Sequence, residues 1–179
     1  MKNNNNYRSN GGFTILELLI VITIGLIMLT FIGITLGAVR GANVNAAARA
    51  LKNSASHARS QSMAKGKDAG MLRIWIDGNS VYCRVGDDGD KKELCNLKEV
   101  NVNKVAFETT TKTATVVNPL VEVGEANEVT VAFTNMGTVN KTDSSLYPFN
   151  AIQFNRETRN TYVVIYPETG NIEVITQTY

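Results

Sequence analysis

The chain has 179 residues, a formal net charge of +2, two cysteines and one histidine. This length holds about one small domain besides a membrane segment. It contains no phosphate-binding glycine loop, nucleophile elbow or paired-histidine motif. The sequence therefore predicts no catalytic residue, no metal site and no cofactor, and the chain is not expected to be an enzyme.

The first notable element is an apolar run preceded by a short basic segment. Residues 1–12 read MKNNNNYRSNGG and carry two cations and no acid, and the 22 residues from Leu18 to Val39 carry no charge. As a helix those residues span roughly 33 Å, enough to cross a hydrocarbon core about 30 Å thick. Because short basic flanks stay in the cytoplasm, the sequence predicts a single-pass anchor with the rest of the chain outside.

The residues at the start of this run are Gly12-Phe13-Thr14-Ile15-Leu16-Glu17. This hexapeptide resembles the cleavage and methylation signature of type IV prepilins and type II secretion pseudopilins. In that family a prepilin peptidase cuts after the glycine, and the new N-terminal phenylalanine is N-methylated. The resemblance implies cleavage between Gly12 and Phe13, methylation of Phe13, and residues 1–12 as a removable leader.

Glu17 is the acid of this apolar segment, and an ionised carboxylate inside a bilayer is costly without a partner. Cleavage would create an amine at Phe13, four residues earlier and on the same helical face. The resemblance implies that Glu17 of an incoming subunit pairs with the Phe13 amine of its neighbour in a filament. Such a buried pair would fix the axial register of the subunits. The alternative is that Glu17 reaches the lipid headgroups.

The sequence divides after the anchor into a basic stretch and an acidic head. We predict a transmembrane and assembly helix over 13–39, an amphipathic continuation over 40–66, and a β-rich head over 67–179. Residues 40–67 carry six cations and no acid, whereas 68–179 have a formal charge of −5. This polarity suits lipid headgroups or contacts between the head of one subunit and the helix of another; a solvated helix face is the alternative.

The head combines one apolar helix stripe with a series of short alternating segments. The stripe follows helical spacing and comprises Val44, Ala48, Leu51, Ala55, Ala58 and Ser62. Gly66 is expected to end the helix. Eight or nine strands are predicted after it, and the candidate segments are MLRIWI, SVYCRV, ELCNL, VNKVAF, TATVV, EVTVAF, NAIQF, TYVVIY and NIEVIT. The predicted fold is α+β, with a long N-terminal hydrophobic helix packed on an antiparallel β-sheet head.

The two cysteines flank the predicted turn DDGD. A three-residue loop over 88–90 would place Cys83 opposite Cys95, and outside the cytoplasm a disulfide between them is permitted. The aspartates of the turn lack the remaining pattern of a calcium-binding loop. A turn is therefore the preferred interpretation, with calcium binding as the alternative.

Three segments of the head resemble H-type pseudopilins and FimT-type minor pilins. They are Ala58–Ser62, the stretch Val131–Val139, and the hairpin around Gly170-Asn171-Ile172. The resemblance implies a minor pilin or pseudopilin of a type IV pilus or type II secretion system, held in the inner membrane and then assembled into a filament. Its implied partners are other pilin subunits, the prepilin peptidase and the membrane assembly platform.

The alternative function is a DNA-binding minor pilin. Arg156 and Arg159, with Tyr162 following, form the candidate patch for it. Two arginines supply few of the phosphate contacts that drive affinity, and the head is acidic. Nucleic acid is therefore not the expected partner.

Overall fold

A computed structural model describes residues 14–87, 89–120 and 128–178, without the side chains of 29–42, 67 and 68. Contacts divide the chain into two units, Met1–Ala38 and Val39–Tyr179. Helix α1 spans Ile15–Lys65. The fold is α+β, with an N-terminal helix followed by antiparallel sheets.

In the first unit the described side chains are exposed throughout. Every residue from 14 to 28 is exposed, and the residues from Ile15 to Met28 are apolar except for Glu17, Thr23 and Gly25. No helical stretch among the described residues is long and apolar enough to cross a membrane. The part of the predicted anchor from 29 to 39 lies outside the described side chains, as does the predicted leader.

In the second unit the helix is buried along the predicted stripe. Ala47 is fully buried, and so are the predicted stripe residues Val44, Ala48, Leu51, Ala55, Ala58 and Ser62. They recur every three or four residues and so line one face of the helix. Gly66 follows the last helical residue with a φ of 99°, a conformation that glycine adopts without strain. The predicted stripe and the predicted helix end are both confirmed.

All nine candidate segments contain a strand, and every strand pair among the described residues is antiparallel. They are β1 (Leu72–Asp77), β2 (Ser80–Val85), β3 (Lys92–Asn96), β4 (Asn101–Glu108), β5 (Thr113–Pro119), β6 (Val129–Val131), β7 (Ala151–Arg156), β8 (Arg159–Ile165) and β9 (Ile172–Thr178). One sheet has the order β3-β2-β1-β6, and the other has the order β5-β4-β7-β8-β9. Both contribute to one core with the helix, in which Leu51, Ile74 and Phe154 are among the buried side chains.

A second, smaller core lies around the end of the β4–β5 hairpin. Its buried members are Val105, Phe107, Ala151, Tyr162 and Val164. The rings of Phe107 and Tyr162 lie 5.0 Å apart. Asn150 fixes the hairpin beside this core, because its side chain accepts a bond from the Phe107 N–H at 2.7 Å and donates one to the Phe107 carbonyl at 2.9 Å. The amide side chain thus acts like a strand partner for a single residue.

The predicted register of the cysteine hairpin is wrong. Cys83 lies opposite Lys92 and Cys95 lies opposite Val81, with a bulge that leaves Leu94 as the extra residue of β3. Leu94 is buried. The bulge therefore places this side chain in the core and interrupts the simple alternation on which the prediction relied. Both cysteines are free thiols, and the predicted disulfide is not formed in this structure.

Candidate functional site

The start of helix α1 is a capping box formed by Thr14 and Glu17. The Thr14 hydroxyl accepts a hydrogen bond from the Glu17 backbone N–H at 3.2 Å. The Glu17 carboxylate in turn accepts bonds from the Thr14 N–H and hydroxyl, each at 2.9 Å. This reciprocal arrangement satisfies two backbone donors that a helix start otherwise leaves unpaired.

Glu17 is therefore placed at the first turn, where a negative charge also interacts favourably with the helix dipole. The side chain is exposed, so a cationic group can approach it in addition to Thr14. Gly12 and Phe13 lie outside the described residues, and the predicted cleavage, methylation and pairing with the Phe13 amine stay predictions. Thr14 was not predicted as a functional residue, although Thr-x-x-Glu is a recognisable helix-start signal.

In the head, one arginine of the helix holds two loops. Arg59 donates from Nε to the carbonyl of Gly137 at 2.9 Å and from Nη2 to the carbonyl of Thr169 at 3.1 Å. A guanidinium presents its donors in a rigid planar fork. Arg59 therefore fixes both loops against the end of the helix, in an arrangement that we call the Arg59 clasp.

The two loops of the clasp approach each other at two glycines. A Cβ atom added to Gly170 would lie 1.6 Å from the Gly137 carbonyl oxygen, and one added to Gly137 would lie 2.9 Å from the Arg59 Nε. Both glycines also have positive φ values, 63° and 79°. The backbone conformation and the close approach both require glycine at these positions.

The Arg59 clasp brings together the three head segments that resemble the H-type and FimT-type subunits. Arg59 belongs to the first segment, Gly137 to the second and Gly170 to the third. Their separation along the chain gives no sign of this contact. The three segments form one structural feature in the folded head.

The candidate DNA patch does not form as predicted. Arg156 and Arg159 face each other across the β7–β8 turn, but Arg156 Nη1 lies 3.8 Å from the Glu99 carboxylate. Tyr162 is 2% exposed and packs on Phe107, so it presents no stacking surface for a base. The patch is reduced to two arginines, one of which is near an acid.

The remaining candidate side chains have local partners. Asp87 of the predicted turn forms an ion pair with Arg73 at 2.6 Å, and Asp88 lies outside the described residues. His57 is exposed, with its ring nitrogen 3.1 Å from the Gln61 side-chain amide. Among the described residues, no group of three metal-ligating side chains comes together.

Burial makes both thiols poor nucleophiles. Desolvation raises the pKa of Cys95 to about 12, with a further contribution from the charges of Glu93 and Glu99. Burial also raises the pKa of Cys83, whose thiol donates to the Ser54 hydroxyl at 3.4 Å. Because the thiolate is the reactive form, neither cysteine is suited to nucleophilic chemistry.

Comparison with protein-family models matches residues 7–33 to the prokaryotic N-terminal methylation motif. The matched range includes Gly12, Phe13 and Glu17 and ends before the head begins. No curated protein and no solved structure matches the chain. The N-terminal segment thus carries a prokaryotic N-terminal methylation motif, which supports a type IV pilin-like family and processing by a prepilin peptidase.

Proposed function

We propose that the chain is a membrane-anchored pilin-like subunit that is cleaved between Gly12 and Phe13 and then assembled into a filament. The observation that carries this proposal is the exposed apolar helix of residues 15–28 with an acid in its first turn. An apolar helix surface of this kind requires lipid or other helices around it. In this proposal the helix is long and continuous from the mature N-terminus, crosses the inner membrane once, and leaves the head outside the cytoplasm.

The capping box gives Glu17 a defined place before assembly. Its carboxylate has intrachain donors at Thr14, which lowers the cost of keeping an acid near an apolar environment. On assembly the amine at Phe13 of a neighbouring subunit becomes the stronger, oppositely charged partner. Losing one member of a buried ion pair costs about 3–5 kcal/mol, enough to determine the register.

Within the pilin-like family, we propose a minor pilin or pseudopilin of the H-type or FimT-type group. The support is the Arg59 clasp, in which the three resembling segments meet. The proposed partners are other pilin subunits, the prepilin peptidase and the inner-membrane assembly platform. The subunit acts through its surface, without catalytic residues, a metal or a cofactor.

DNA binding remains the alternative function and is less well supported. Arg156 is close to Glu99 and Tyr162 is buried, which leaves Arg159 as the main contact for phosphate. Binding of nucleic acid generally depends on several such contacts.

Intact-mass spectrometry of the membrane-extracted chain tests the processing step. We expect a chain that begins at Phe13 and carries one methyl group. A Gly12→Leu variant should retain residues 1–12, because a bulky side chain beside the scissile bond blocks the peptidase. An intact leader on the wild-type chain, in cells that express a prepilin peptidase, would contradict the proposal.

A second experiment tests the role of Glu17 in assembly. We expect Glu17→Ala to be inserted and cleaved but largely absent from sheared filaments, whereas the apolar control Leu19→Ala should be incorporated normally. Incorporation of Glu17→Ala at the wild-type level would refute the pairing.

A further inference from the structure

A pocket of about 330 Å³ lies between the helix and the turn that joins β3 to β4. Two carboxylates, Glu93 and Glu99, line it together with Cys95, Asn43 and Ala46. Glu93 accepts a bond from Ser80 at 2.7 Å, and Glu99 accepts one from Asn43 at 2.7 Å. The Glu99 side chain is nevertheless 50% exposed. We call this the acidic pocket.

The two carboxylates act together on the interior of the acidic pocket. Both raise the pKa of the Cys95 thiol, in addition to the larger effect of burial. Two acids at one concave site create a negative potential that attracts a cation. Arg156 is the only cation that forms an ion pair with either carboxylate among the described residues, at 3.8 Å from Glu99.

The opposite flank of the same helix carries cations. Asn43 faces the acidic pocket, whereas Asn45 faces β8, where its side chain accepts a bond from the Thr161 hydroxyl at 3.2 Å. Arg49 lies four residues after Asn45 and therefore on the same flank. Lys52 lies seven residues after Asn45, about two turns further, and also shares this flank. We call Arg49 and Lys52 the basic flank.

The basic flank has no ion-pair partner in the part of the chain that the structure describes. Neither Arg49 nor Lys52 forms an ion pair with a described residue. Arg49 is exposed and Lys52 is half-buried. The basic flank thus presents two cations, whereas the acidic pocket, beside the other flank of the helix, presents two carboxylates, of which Glu99 lies 3.8 Å from Arg156.

We propose that the acidic pocket of one subunit receives the basic flank of a second copy of this chain, placed side by side with it. The cations lie on one flank of the helix and the carboxylates lie beside its other flank, so two copies in the same orientation are complementary in charge. Donor and acceptor are different surfaces, so the contact is heterologous and does not close into a symmetric dimer. The inference rests on the proposed filament function and names the surfaces that neighbouring heads use.

A zero-length carbodiimide cross-linker tests the contact in the full-length chain, because it joins a lysine amine to a carboxylate only when the two touch. Two isotopically distinct populations of the chain are expressed together in one membrane, cross-linked and digested. We expect mixed-isotope peptides that join Lys52 to Glu93 or Glu99. A mixed-isotope product joins two different copies by definition. A cross-link within one subunit is not expected, because Lys52 and the acidic pocket lie beside opposite flanks of the helix.

Charge reversal and its rescue provide the decisive comparison. Lys52 supplies the amine that the cross-linker needs. The charge is therefore reversed at Arg49 alone, as Arg49→Glu, and Lys52 is retained. We expect the yield of the Lys52 cross-link to fall about tenfold or more in Arg49→Glu, in line with the energies of close interfacial charge pairs. The yield should recover when the second population carries Glu93→Lys with Glu99 retained. Glu108→Lys, an exposed acid at the end of β4, is the matched control and should change nothing.

The outcomes separate this inference from the proposed function. If the chain is cleaved and assembled but no Lys52 cross-link to either glutamate forms, the inference is wrong and the proposed function survives. If the cross-links form in a chain that is never cleaved, the contact exists and the filament proposal fails. Cross-links that persist unchanged in Arg49→Glu, or an effect of Arg49→Glu on lipid-vesicle binding without any cross-link, would also overturn the inference.

Discussion

Gly170 lies so close to Gly137 that a side chain at position 170 would collide with the opposite loop. Gly170→Ala places Cβ at 1.6 Å from the Gly137 carbonyl oxygen. That oxygen accepts the hydrogen bond from Arg59 Nε, so moving it away would disrupt the Arg59 clasp. We expect a loss of unfolding free energy above about 3 kcal/mol, because strain and overpacking add. Urea unfolding followed through Trp75, the single tryptophan and 2% exposed, measures it.

Gly78→Ala is the matched control for this variant. Gly78 has a φ of 62°, nearly that of Gly170, but no atom lies within 4 Å of its added Cβ. The substitution should cost only about 1–2 kcal/mol for the left-handed backbone. Equal losses in the two variants would show that the approach of the loops contributes nothing.

The buried thiol of Cys95 predicts a fall in stability at alkaline pH. Its pKa is about 12 in the folded chain and about 8.5 when unfolded. As pH rises above the unfolded value, the unfolded state releases this proton while the folded state keeps it, so the free energy of unfolding decreases. We expect about 1 kcal/mol of loss from this group between pH 7.5 and pH 9.5.

Cys95→Ala removes this contribution. Other groups titrate in the same interval, so the informative quantity is the difference in pH dependence between wild type and variant. The variant should lose less stability than wild type on going to pH 9.5. Parallel curves would indicate that Cys95 is not a free thiol in the protein.

At the scale of elements, Arg59 is the side chain that joins the helix to the two loops of the clasp. Its bonds to the carbonyls of Gly137 and Thr169 come from a charged donor, and bonds of that kind contribute about 1.5–3 kcal/mol each. The bond to Thr169 is exposed and counts for less. We expect Arg59→Ala to cost about 2 kcal/mol and to speed amide hydrogen exchange in both loops.

Arg49→Ala is the control, because Arg49 lies on the same helix, is exposed and has no ion-pair partner among the described residues. It should change the free energy of unfolding by less than about 0.5 kcal/mol. Faster exchange throughout the head in Arg59→Ala, with no preference for the two loops, would contradict a local clasp.

The elements themselves were predictable because their signals are local. Alternating apolar residues and turn residues such as Gly78 identified the strands, and the three-and-four spacing around Leu51 identified the buried helix face. The bulge at Leu94 has no local signal, since it depends on which side chain the core accepts, and the cysteine register was mispredicted for that reason. The Asn150 contact with Phe107 and the Arg59 clasp join residues far apart in sequence, which no periodicity reveals.

At the scale of the whole molecule, the head has a core of its own. Among the side chains that the structure describes, the buried cluster that joins the helix to both sheets begins at Val44, and contacts divide the chain after Ala38. We therefore expect residues 39–179 to fold without detergent, with a cooperative transition and a midpoint within a few degrees of the full chain. Circular dichroism and Trp75 fluorescence on heating measure both.

Removing the helix as well should abolish folding. Residues 67–179 lack six fully buried members of the core: Val44, Ala47, Ala48, Leu51, Ala55 and Ala58. Burial of Val or Leu contributes about 1.5–3 kcal/mol each, and loss of the helix also exposes the sheet faces that it covers, against a total stability of about 5–15 kcal/mol. A cooperative transition in 67–179 would show that the head does not need the helix for its core. Aggregation of 39–179 in the absence of detergent would show that the head does not fold by itself.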